Sequence, residues 1–295
     1  MDFIQSAIEK ARQERQLRSG AAPAVSVLHP PHTASQAPPA ATADLLRSDL
    51  WASLSAIAPS DKELEGHHVY AHSRSSDGTA FDIMRTKLLH QLRSNNWRRV
   101  AVTSPTPDCG KSTLALNLAY SIARQSDLSC MLLEFDLRRP SMAAKLGVTE
   151  PPNFADVLTG NAEPEERLLR IGSNLAVGLN AVGRSDSAEL LQQVETGRIV
   201  DRMEQRFAPD AMLFDMPPML QADDTLGFID QIDCVLLVAA AGSTSMTEIA
   251  RCSDELKTRC NFLGVVLNKC RYLDQGDAYG YGSGYGYGAE GGQPY

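Results

Sequence analysis

Residues 98–123 read RRVAVTSPTPDCGKSTLALNLAYSIA: a short apolar run, a loop of turn residues, then a stretch with helical periodicity. The run 98–104 has the continuous apolar, β-branched character of a strand covered on both faces. The loop that follows, Ser104-Pro105-Thr106-Pro107-Asp108-Cys109-Gly110-Lys111-Ser112-Thr113, opens directly into the helix. Strand, loop and helix in that order form the setting that a phosphate-binding loop requires. Thr106, Pro107, Asp108, Cys109, Gly110, Lys111, Ser112 and Thr113 belong to that loop, and all but Pro107 carry a backbone N–H. Together with the helix N-terminus, they are expected to wrap a β-phosphate. Lys111 would reach the β- and γ-oxygens and the Ser112 hydroxyl would ligate Mg²⁺. Pro105 stands where the usual pattern has its first glycine, so the loop's start differs.

Working outward, further apolar runs bounded by turn residues lie at 130–136, 175–183, 211–218, 234–242 and 262–268. They alternate with helical periodicity at 112–123, 188–207 and 247–260. Continuous apolar strands alternating with amphipathic helices predict an α/β fold, a mostly parallel sheet with helices on both faces. Such sheets bind ligands beyond the carboxyl ends of their strands. Three acids fall there: Glu134 and Asp136 in LLEFDLRRP, and Asp215 in LFDMPP. Asp215 takes the position from which a carboxylate holds the metal's water shell in phosphate-loop enzymes, and Glu134 and Asp136, two apart and so on the same side of their strand, are delivered to the same phosphate site. Arg138 and Arg139 either hold phosphate or pair with carboxylates. Asn268, ending VVLN, offers an amide to an adenine edge or serves as a turn residue.

The ends of the chain have a different character. Residues 1–18 carry Phe3, Ile4, Ala7, Ile8 and Ala11 at the spacing of a short amphipathic helix. It reads either as a docking element or as a frayed terminus. Residues 19–43 contain five prolines and no charge, a linker composition. Residues 44–79 are a mixed extension, with Trp51 and Leu54 expected against the body. The α/β domain occupies 80–271. The last segment, 272–295, holds eight glycines and six of the chain's eight tyrosines, a composition that predicts a flexible tail. The 28 Lys and Arg against 36 Asp and Glu give a net charge of −8, which argues against nucleic acid as a general partner. No apolar run reaches the roughly 20 residues that span a bilayer, and the start is not a signal peptide, so a cytoplasmic location is expected. Six cysteines without CxxC spacing indicate neither zinc nor disulfides.

Taken together, GKST followed by NLA, LLEFDLRRP, FADVLTG (154–160), SAELLQ (187–192), LFDMPP and LGVVLNK resemble the bacterial tyrosine kinase family of capsule and exopolysaccharide export, in family order over about residues 80–270. The resemblance implies the P-loop NTPase fold shared with septum-placing and partition ATPases. It also implies Mg-ATP as donor and autophosphorylation in trans on the tail tyrosines Tyr279, Tyr281, Tyr285, Tyr287 and Tyr295. By this resemblance Lys111 and Ser112 would take the Walker A roles, Asp136 and Asp215 the metal-shell roles and Asn268 the nucleotide-base contact, while Glu134 or Asp136 would orient and deprotonate the tyrosine hydroxyl. A separate membrane-embedded chain-length or export protein is the implied partner, with the chain peripheral at the inner membrane face and self-associated for trans phosphorylation. Two places depart from the family. Glu134 stands where the family usually has Asp, so a Glu134→Asp exchange is expected to preserve or raise activity. In TAFDIMRTKL (79–88) the subunit-ring motif of an acid and two arginines reads Thr79, Asp82 and Arg85.

Two other classes compete with the kinase reading. A partition-type ATPase switch carries an additional lysine near the start of its loop, where this chain has Thr106. A non-catalytic nucleotide-binding scaffold would keep the loop and leave the tail unmodified.

Overall fold

The carboxyl ends of three central strands meet side by side, and the rest of the fold holds them there. The computed structural model describes residues 40–270. In chain order the elements are α1 (Ala40–Ser53), β1 (Ser55–Ile57), α2 (Asp61–Gly66), α3 (Thr79–Asn95), β2 (Arg99–Thr103), α4 (Lys111–Ala123) and β3 (Cys130–Glu134). Three short helices follow, α5 (Met142–Lys145), α6 (Ala155–Leu158) and α7 (Pro164–Arg167), then β4 (Leu168–Ile171) and β5 (Leu175–Gly178). The chain continues through α8 (Ser187–Leu191), α9 (Val194–Phe207), β6 (Ala211–Asp215), α10 (Asp224–Phe228), β7 (Cys234–Ala240), α11 (Met246–Arg259) and β8 (Asn261–Asn268).

The eight strands form one sheet in the order β1-β4-β5-β3-β6-β2-β7-β8. Every pairing is parallel except β4 with β5, which is joined by a tight turn through Gly172 at φ 62. Side chains alternate between faces: Val100 and Val102 of β2, with Cys130 and Leu132 of β3, enter the core under α3 and α4. Ala101, Met131 and Leu133 enter the opposite core under α9 and α11. That two-faced burial is the physical content of the continuous apolar runs.

Several elements differ from the sequence expectation. The segment read as linker to residue 43 is already helical from Ala40. The extension at 44–79 is part of the body: β1 pairs with β4, and the Trp51 indole donates to the Phe207 carbonyl at 3.0 Å. Trp51 and Leu54 are buried as expected. Residues 188–207 form two helices rather than one, because Gln193 is extended (φ −67, ψ 135), and Thr196 closes the break by donating to the Leu190 carbonyl at 2.6 Å. The strand at 175–183 ends at Gly178. The helix expected at 1–18, residues 19–39 of the expected linker and the tail tyrosines lie outside the described residues.

Candidate functional site

The loop after β2 is shaped by two left-handed residues, Asp108 at φ 60 and Gly110 at φ 88, immediately before α4. A side chain at Gly110 is doubly excluded: a Cβ there would sit 2.2 Å from the Asn268 amide nitrogen. That nitrogen donates to the Cys109 carbonyl at 2.9 Å, so Asn268 braces the loop from the end of β8. The Cys109 thiol is buried, 3.4 Å from the Thr244 hydroxyl and 3.6 Å from that of Thr106. On the other side, Met219 and Leu220 donate backbone N–H groups to the carbonyls of Ser104 and Pro105. The loop is therefore tied to the segments following β8, β7 and β6.

Beside it opens a cleft of about 350 Å³ whose loop wall includes Pro107, Asp108, Gly110, Lys111, Ser112 and Thr113. Its far wall includes Asp136, Arg139, Ser141 and Lys145. Thr106, Cys109 and Asn268, expected at the nucleotide, do not line this cleft; they hold the loop from behind.

Lys111 lies across the floor, only 9% exposed. Its ammonium is 2.7 Å from Asp136 Oδ2, 3.4 Å from Asp215 Oδ1 and 3.4 Å from Ser112 Oγ. Burial, the largest single influence, pulls the ammonium pKa down, yet Asp215 and Asp136 more than offset it and leave it raised. For Asp215, fully buried, burial dominates and pushes the carboxyl up against the opposing pull of Lys111 and Ser112. Its second oxygen, Oδ2, is buried with no hydrogen-bond partner. Register places these groups: Asp215 pairs with Val102 of β2 and with Glu134 of β3.

The residues fit Mg²⁺. An orphaned carboxylate oxygen, a second carboxylate and the Ser112 hydroxyl converge on one cleft, and magnesium binds through one or two carboxylates, phosphates and retained waters. Among the described residues no cluster of three or more His, Cys, Asp or Glu is arranged for a metal, which such a water-rich site does not need.

Glu134 corrects the sequence reading. It does not line the cleft and is fully buried. Its Oε1 accepts backbone N–H groups of Ser141 at 2.5 Å and Met142 at 2.8 Å, and Oε2 accepts that of Asn180 at 3.0 Å. Burial pushes its pKa up to about 7 although the three donors pull the other way. Phe135 explains the split: its ring packs 5.0 Å from Phe214 and 4.9 Å from Phe228, and β3 has ended before Asp136 turns into the cleft. Glu134 anchors the start of α5; Asp136 faces the chemistry. Arg138 pairs at 3.0 Å with buried Asp224, which also accepts from Ser187 at the start of α8. Lys145 escaped sequence reasoning because no motif marks it; only its place on the cleft wall does.

No protein-family model matches the chain. Tyrosine-protein kinase CpsD of Streptococcus pneumoniae serotype 4 is 30% identical over 182 residues, 61% of this chain and 79% of CpsD. Tyrosine-protein kinase ptk of Acinetobacter johnsonii is 27% identical over 183 residues, 60% of this chain. The chain spans only about a quarter (24%) of that longer relative. Among solved structures, the kinase domain of Escherichia coli tyrosine kinase ETK aligns with a TM-score of 0.62 at 25% identity, covering 72% of this chain and 82% of that domain. The chain belongs to the bacterial tyrosine kinase family. Within that family, the departure at Glu134 is a buried anchor. The departure at Asp82 is satisfied internally: its carboxylate accepts from Ser121 at 2.5 Å and is bound by Arg124, with Arg85 at 3.2 Å.

Proposed function

We propose that the chain is an ATP-dependent protein-tyrosine kinase that phosphorylates its own tail tyrosines, Tyr279, Tyr281, Tyr285, Tyr287 and Tyr295, on a neighbouring copy. The observation that supports this most directly is the constellation of Lys111, Ser112, Asp136 and Asp215 at the end of a parallel sheet, with one buried Asp215 oxygen left unpartnered. Ser112, Asp136 and Asp215 would hold Mg²⁺, which would supply charge neutralisation at the phosphates.

The chain's own groups do the rest. Loop amides and the N-terminus of α4 bind the phosphates, and Lys111 leaves its carboxylate partners for the β- and γ-oxygens. Asp136, the carboxylate that faces the cleft, orients the tyrosine hydroxyl and takes its proton as the phosphoryl group passes from ATP to the phenolic oxygen and ADP departs. Each phosphate adds nearly two negative charges to the tail of an already acidic protein, so successive events repel the tail from the body.

The setting we infer is capsule or exopolysaccharide assembly, with a separate membrane-embedded chain-length or export protein as activator. The kinase would then sit at the inner face of the membrane through that partner. Among the described residues no helix is long and apolar enough to cross a membrane. A mixing experiment tests the reading: tail-bearing Lys111→Met chain is incubated with Mg-ATP and a wild-type chain lacking residues 272–295. Phosphotyrosine on the Lys111→Met tail supports phosphorylation in trans; an unmodified tail, with the export partner's cytoplasmic segment present, contradicts it.

A further inference from the structure

Lys145 closes α5 on the wall of the cleft opposite the phosphate-binding loop. Three observations set it apart from the other cations there. Lys111 is engaged by Asp136 and Asp215, and Arg139 is exposed at the rim. Lys145 is half-buried, yet among the described residues its ammonium makes no hydrogen bond or ion pair. A desolvated ammonium without a partner is costly, and here burial lowers its pKa; the charges it feels most are Asp215, Lys111, Glu134 and Asp108. Those groups come from the end of β6, the start of α4, the end of β3 and the tip of the loop, and Lys145 itself lines the cleft with Asp108 and Lys111.

Its position is held from the sheet. Glu134 accepts the N–H groups of Ser141 and Met142 and so pins the start of α5, three residues before Lys145. Charge balance gives the group a task. In the cleft as it stands, two carboxylates surround one lysine; a triphosphate carries more negative charge than Lys111 and one divalent cation neutralise. The loop residues line one side of the cleft and Asp136, Arg139, Ser141 and Lys145 the other, so a phosphate chain cradled by the loop amides leaves its outer end open to a cation from the far wall.

We propose that Lys145 is a second phosphate-binding lysine, directed at the outermost phosphate of a nucleoside triphosphate, and that it sets the preference for triphosphate over diphosphate. This rests on the cleft being the nucleotide site, as proposed above.

The test is calorimetric titration of the full chain in Mg²⁺ with ADP and with the β,γ-imido analogue of ATP, for wild type and for Lys145→Ala, Lys145→Met and Lys145→Arg. The charge-removing variants are expected to weaken the triphosphate analogue by roughly tenfold or more, the size of one charge-assisted hydrogen bond, with ADP changed by less than about twofold, and Arg restores part of the loss. Should the alanine variant fail to fold, the Met and Arg chains, which keep the stem, make the comparison. Unchanged affinity for both nucleotides, or an equal loss for both, overturns the assignment. Wild-type chain that binds neither nucleotide defeats instead the nucleotide-site reading on which it depends.

Discussion

At the residue scale, two carboxylates paired across neighbouring strands, Asp215 and Glu134, do different work. Asp215 keeps an unpartnered oxygen beside Lys111 and Ser112, so Asp215→Asn is expected to cut tail phosphorylation by about 100-fold or more and to flatten its dependence on Mg²⁺ concentration. A variant with wild-type Mg²⁺ response would remove Asp215 from the metal shell. Glu134, by contrast, is structural. Its shorter homologue cannot reach three backbone donors at once, so Glu134→Asp, expected from the sequence to preserve or raise activity, should lower stability by about 2 kcal/mol, read as a shifted denaturant midpoint. The pH sign follows from a folded pKa of about 7 against an ordinary 4.5. The folded state holds the proton more tightly, so Glu134's contribution is fully present below pH 4.5 and is lost as pH rises through 7. Relative to Glu134→Gln, wild type should therefore lose on the order of 3 kcal/mol of stability across that window. Parallel pH profiles for the two chains would show that burial does not raise this group. The carboxyls were legible as strand-end acids; which way each points was not, because that depends on Phe135 packing and on where β3 stops.

At the scale of elements, the central strands were readable because burial on both faces forces continuous apolar runs, and β2, β3, β6, β7 and β8 lie where those runs lie. β1 and β4 escaped: they are three and four residues long at the sheet's margin, too short to show a period. The break at Gln193 escaped because apolar spacing continues across it. What the elements deliver to the site is rigidity. The Phe135, Phe214 and Phe228 rings fix the ends of β3 and β6 against each other, so Phe135→Ala should cost ~3–5 kcal/mol and weaken nucleotide binding with it, as thermal melts with and without nucleotide would report. At the loop, Gly110→Ala places a methyl on the Asn268 amide and strains a left-handed residue. Nucleotide affinity should fall by more than about tenfold while the fold persists, and unchanged titration would show the loop to be more accommodating than its geometry. The hydrogen bond from the Asn268 amide to the loop backbone was not legible in the sequence, because it joins the end of β8 to a loop 159 residues earlier.

At the scale of the whole molecule, the body and the tail separate in kind. The α/β body was legible from alternation of strand and helix, and the family from motifs in order; the tail was legible only as composition. In the segment 79–88, Asp82 is bound within the chain by Ser121, Arg124 and Arg85, and the phosphorylation proposed above takes place between two copies. The rate of tail phosphorylation per chain should accordingly rise with chain concentration, and a rate independent of concentration would place the reaction within one molecule. The central claim, that this cleft transfers phosphate to tail tyrosines, is tested most directly by intact mass and phosphotyrosine mapping of wild type, Lys111→Met and Asp215→Asn after incubation with Mg-ATP and the partner's cytoplasmic segment. Phosphates on the tail of wild type alone are the predicted result; an unmodified wild-type tail with nucleotide bound, or equal modification of all three chains, contradicts it.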